Sequence, residues 1–127
     1  MTLGKIKEQI MYQTNNDADD LPDFEPHIAD YVNEGYNILV NAYYEKHVGH
    51  AEDCIKPLED ASDEPQLPEY AHRALADYGT YMVYRNGNAV KQNRGMAFYS
   101  MFMDIVAKLK FERGGVTKRQ FINIYSR

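Results

Sequence analysis

LPEYAHRALADYGTYMVYRNGN, residues 67–88, is the stretch that decides the fold. Pro68 can open a helix because a first-turn N–H has no intrahelical partner to lose. Behind it Ala71, Ala74, Leu75, Tyr78, Tyr81 and Met82 recur at helical spacing and predict one apolar face from Pro68 to about Tyr84. After Arg85 the run Asn86-Gly87-Asn88 offers left-handed conformers that stop one helix and allow reversal into another. A helical hairpin is therefore predicted, and the chain around it follows the same 3.6-residue period.

Downstream, a helix is expected over about Ala89 to Arg113, with Phe98, Tyr99, Phe102, Ile105, Val106 and Leu109 in the core and Met96, Met101 and Met103 as fillers at its margins. Gly114-Gly115 should end it, leaving VTKRQFINIYSR as a tail too apolar for a purely solvated terminus. Upstream, one helix is predicted from Phe24–Pro26 to about Val48, with Ile28, Val32, Tyr36, Leu39, Val40 and Tyr43 buried. Gly35 in its middle costs about 1 kcal/mol relative to Ala unless a neighbour packs closely there. A first helix spans about Thr2 to Gln13 on Leu3, Ile6 and Ile10. Asn15 to Pro22 reads as a solvated acidic linker, since it lacks the glycine and glutamate positions of a calcium loop. The long acidic stretch Gly49 to Leu67 reads as a functional arm or a disordered loop. The expectation is an all-α, four-helix bundle-like domain over residues 1–113, with a long loop between the second and third helices. An extended C-terminal docking arm follows over 114–127.

Composition narrows the function classes. Hydrophobic residues at 44% and charged residues at 26% are those of an ordinary globular domain, and 11 Tyr with no Trp favours wet contact surfaces. Residues 1–90 carry 17 acidic and 6 basic side chains, a balance of −11; residues 91–127 carry 2 acidic and 8 basic, a balance of +6. Such a division suits joining copies, or binding an acidic partner, through complementary fields. The plainer account is a basic solvent face on the last helix. The acidic total disfavours nucleic-acid binding as the main activity. The lone Cys54 fits a reducing compartment, and no apolar run is long enough for a membrane span or a secretion signal. His47, His50 and Cys54 match no closed zinc site, so no metal or other cofactor is expected. His72 is expected to bond a neighbouring loop. The phosphate-loop, HExxH, GxSxG and CxxC patterns are all missing, so an enzyme is not expected.

The 67–88 stretch also resembles the middle of bacteriophage head-to-tail connector proteins, the neck adaptors or head-completion proteins. The likeness is carried by Leu67, Pro68, His72, Ala74, Leu75, Asp77, Tyr78, Tyr81, Tyr84, Gly87 and Asn88, with two helices before the segment and one after it. The resemblance implies a ring bound under the portal protein, a homo-oligomer of about twelve copies closed by heterologous contacts. A tail or neck protein would bind its other side. Genomic DNA would pass through without sequence-specific binding, repelled by an acidic lining. It implies assembly in the host cytoplasm, residence in the virion neck, and C-terminal segments that reach the portal; that role is carried to Phe121, Ile122, Ile124 and Tyr125, with Arg119 beside them. Lys108 and Lys110 against Asp60, Asp63 and Glu64 are the expected subunit contact. The alternatives are a small intracellular helical interaction module that forms no ring and a DNA-binding regulator with its basic last helix in a groove.

Overall fold

The computed structural model describes residues 1–44 and 56–125, with side chains omitted at Ala18, Asp20 and 113–125. Among the described residues every regular element is a helix, with no strand. Helix α1, Leu3–Thr14, starts where the Thr2 hydroxyl accepts the Lys5 N–H at 3.2 Å, an N-cap. A 3-10 stretch, Asn15–Asp20, and a 3-10 turn, Glu25–His27, lead into α2, Ile28–Tyr44. Helix α3, Glu69–Arg85, starts immediately after Pro68. Helix α4, Ala89–Tyr125, is capped by the Asn88 side chain, which accepts the Lys91 N–H at 3.0 Å.

Helix α3 is the central element. Helices α1, α2 and α4 all pack on it, whereas α1 and α4 make no packing contact among the described residues. This is why nearly the whole of α3 from Ala71 to Thr80 is buried, polar residues included. Leu3, Ile6 and Ile10 of α1 close on it from one side, Val32, Tyr36 and Leu39 of α2 from a second, and Phe102, Val106 and Leu109 of α4 from a third. Tyr78 stands where the layers meet, its ring 4.7 Å from that of Phe102 and its hydroxyl donating to Glu34 at 2.7 Å. A Cβ on Gly35 would lie 2.9 Å from the Tyr78 ring, so the close packing expected at that glycine is Tyr78 itself.

The loop before α3 is an ordered strap over residues 56–68. The Asn33 amide grips the backbone of Leu58 from both sides, accepting its N–H at 2.7 Å and donating to its carbonyl at 2.9 Å. The Tyr36 hydroxyl accepts the Gln66 N–H, and the Tyr44 hydroxyl donates to the Gln66 carbonyl. The carbonyls of Asp63 and Ala61 accept the N–H groups of Leu3 and Gly4, satisfying two orphan donors at the start of α1.

Four expectations need correction. The helix does not stop at Gly114-Gly115: its backbone runs on to Tyr125, so the 114–127 arm is helical through that residue rather than extended. Two glycines cost about 2 kcal/mol of propensity, which disfavours a helix without ending one that no cap or proline terminates. Gly87 does not adopt a left-handed φ; it is needed because a Cβ there would meet the Lys91 Cβ at 2.7 Å. Met96, Met101 and Met103 are exposed rather than fillers. Asp17, read as part of a solvated linker, is buried.

Candidate functional site

Asp17 accepts hydrogen bonds from three side chains. Lys91 Nζ and Arg94 Nη1 both reach its Oδ1 at 2.5 Å, and the Tyr84 hydroxyl donates to Oδ2 at 2.6 Å. The Lys91 bond above all, with those from Tyr84 and Arg94, holds the carboxyl far below the usual carboxylate range. Burial, and then the bond to Asp17, pushes Tyr84 up to about 12. The cluster fastens the segment after α1 to the first turns of α4. Lys91 thus turns inward from the basic face that the sequence assigned to solvent, whereas Arg94 reaches Asp17 from the surface and stays about half exposed, and Lys108 and Lys110 continue that exposed basic face further along α4.

Of those two, Lys110 is exposed, while the Lys108 ammonium sits 3.9 Å from the centre of the Tyr70 ring, a cation–π contact. The Tyr70 hydroxyl donates to Glu112 at 2.5 Å, and burial followed by that bond raises its pKa strongly. Lys108, Tyr70 and Glu112 clasp α4 to the start of α3. On the strap, Asp60 and Glu64 are exposed, but Asp63 is committed to its own chain: its carboxylate accepts the N–H groups of Glu59 and Asp60, both at 2.9 Å. Those two bonds lower its pKa. The strap and the two lysines lie on separate elements, and no hydrogen bond or ion pair joins them among the described residues.

The outer face of α4 carries Met96, Met103 and Phe111, with Ser100 and Ala107 between them, at the three- and four-residue spacing of a helix seam. Phe111 is 79% exposed, a large apolar cost for a face left in water. The side chains of Phe121, Ile122, Ile124, Tyr125 and Arg119 lie outside the described residues, as do His47, His50 and Cys54.

A second polar feature lies on α3. Asp77 is 7% exposed, and its Oδ1 accepts the Gln13 amide at 3.1 Å; Thr80 in turn donates to Gln13 at 2.6 Å. Burial pushes its carboxyl up, against the Gln13 bond and the charge of Arg73. His72 makes the expected loop contact, its Nε2 lying 2.9 Å from the Leu67 carbonyl. Among the described residues no three His, Cys, Asp or Glu side chains gather as a metal site, and no helix is long and apolar enough to cross a membrane.

Sequence reasoning missed the buried contacts of Asp17, Asn33 and Asp77. Asp17 sits in a run whose composition reads as solvent-facing, Asn33 and Asp77 sit between apolar positions on helices, and each finds a partner distant in sequence. The chain matches no family model, no curated protein and no solved structure.

Proposed function

We propose that this chain is a structural subunit of a phage head-to-tail connector, assembling as a ring beneath the portal and performing no chemistry. The observation that carries the reading is the exposed seam of Met96, Met103 and Phe111 on a helix longer than its own bundle needs. A lone domain gains nothing from such a face, whereas a ring subunit buries it against a neighbour. The resemblance of residues 67–88 to connector proteins supports the same reading, as does the split of charge between −11 and +6. Lys110 with Asp60 and Glu64 remain the charged groups open to a neighbour, and Lys108 and Asp63 would contribute only from within their own clasps. The helical 114–125 stretch, with Phe121, Ile122, Ile124, Tyr125 and Arg119, would reach the portal. The test is capture: immobilised portal should retain the full chain and not a truncation after Arg113. Equal retention of both, or of neither, counts against the role given to that stretch.

A further inference from the structure

A cleft of 430 Å³ opens between α3 and α4, lined by Tyr70, Arg73, Ala74 and Asp77 from α3 and by Met101, Asp104 and Ile105 from α4. Asp77 is the unusual member. It is more than nine-tenths buried, its single hydrogen bond comes from a neutral amide, and its other carboxylate oxygen has no hydrogen-bonding partner among the described residues. Arg73 acts on it only through space, with no ion pair between them. A buried carboxylate so poorly compensated is costly, and an arriving cation would relieve the cost. The remaining walls suit the rest of such a group, since Ala74, Met101, Ile105 and the Tyr70 ring can cover the aliphatic stem of a lysine or arginine. Asp104 supplies a second carboxylate.

We infer that this cleft receives a basic side chain from the 113–118 stretch of a second copy of the chain. Residues 113–118 hold Arg113 and Lys118 with no acidic residue, which suits a cleft whose two carboxylates outnumber its one cation, Arg73. The same chain cannot supply the group. Met101, Asp104 and Ile105 and the basic stretch lie on one continuous helix, and residue 113 stands about 12 Å along its axis beyond Ile105. Helix α4 would have to reverse to bring it back, so the donor is another copy. The contact rests on the ring reading for its neighbour and gives that ring a specific joint.

The test uses full-length chains and sedimentation. Wild type should self-associate, and Asp77→Asn or the pair Arg113→Gln and Lys118→Gln should each weaken association at least about tenfold. Circular dichroism should show both variants folded. Mixed together, they should form a one-to-one heterodimer, because one chain keeps the cleft and the other keeps the basic stretch. The inference is overturned if wild type stays monomeric, if Asp77→Asn associates as wild type does, or if the mixture does not pair. Portal capture read on the same proteins separates the two ideas. Portal binding without the cleft contact would remove this joint and leave the connector reading standing, and the cleft contact without portal binding would do the reverse.

Discussion

Replacing Gly35 by alanine sets two opposed effects against each other, and the structure says which wins. In a helix interior alanine is favoured over glycine by about 1 kcal/mol. The new Cβ, however, would lie 2.9 Å from Cδ2, 3.0 Å from Cγ and 3.1 Å from Cβ of Tyr78. The ring cannot easily withdraw, because Glu34 holds its hydroxyl and Phe102 packs on it at 4.7 Å. Overpacking of this kind costs about 1–3 kcal/mol, and a side chain held at both ends belongs in the upper half of that range. The net loss for Gly35→Ala should be about 1–2 kcal/mol, read as a fall in the urea midpoint with the slope unchanged. In a Tyr78→Ala background Cγ and Cδ2 are gone and only the Cβ contact at 3.1 Å is left, so the same substitution should become close to neutral. The coupling between the two sites should therefore be about 2 kcal/mol. Gly35→Ala as stable as wild type with Tyr78 present, or a coupling near zero, would refute the argument.

Other perturbations probe the strap, the buried charges and the outer face. Asn33→Ala leaves the Leu58 N–H and carbonyl without their side-chain partner, which should cost about 1–3 kcal/mol and speed proteolysis within 56–66; unchanged cleavage would show that the strap does not depend on this grip. Tyr84 has a folded pKa raised to about 12, so its contribution is full below the ordinary tyrosine value near 10 and is lost as pH rises towards 12; Tyr84→Phe should flatten that alkaline loss in urea melts. Asp17 is lowered, so the stability it contributes is present above the ordinary carboxylate value and lost as pH falls; Asp17→Asn should be less stable than wild type at neutral pH and less sensitive to acid. Asp77 is raised, so its charged form disfavours the fold at neutral pH, and Asp77→Asn should raise the melting temperature of the isolated chain there. Met103→Glu and Phe111→Ser should each alter subunit stability by no more than about 0.5 kcal/mol while abolishing ring formation, as judged by electron microscopy.

The helices were legible because burial in a bundle writes a 3.6-residue period. Leu3, Ile6 and Ile10, then Val32, Tyr36 and Leu39, then Ala71, Leu75 and Tyr78 stand in the core where that period puts them. It failed at the methionines because amphipathic patterning cannot distinguish an apolar residue turned to the core from one left on the outer surface. It failed at Gly114-Gly115 because propensity weighs single residues and does not decide where a long helix stops. The polar network was out of reach for a different reason. Asn33 meets Leu58 25 residues away, and Asp17 meets Lys91 74 residues away, distances over which no local pattern carries information. The acidic run Asn15–Asp20 looks solvated by composition, and the packing of Tyr84 from α3 and of the first turns of α4 against it makes Asp17 a buried acceptor. Among the proposed contact residues, Lys110, Asp60 and Glu64 are on the surface, but Lys108 and Asp63 already serve their own chain.

The most direct test of the connector reading is electron microscopy of the full chain mixed with the portal encoded beside it in the same genome. The account predicts a closed ring of this protein seated on the portal, lost on truncation after Arg113. Portal particles without added density, alongside free monomer, would contradict it and leave a helical interaction module that forms no ring.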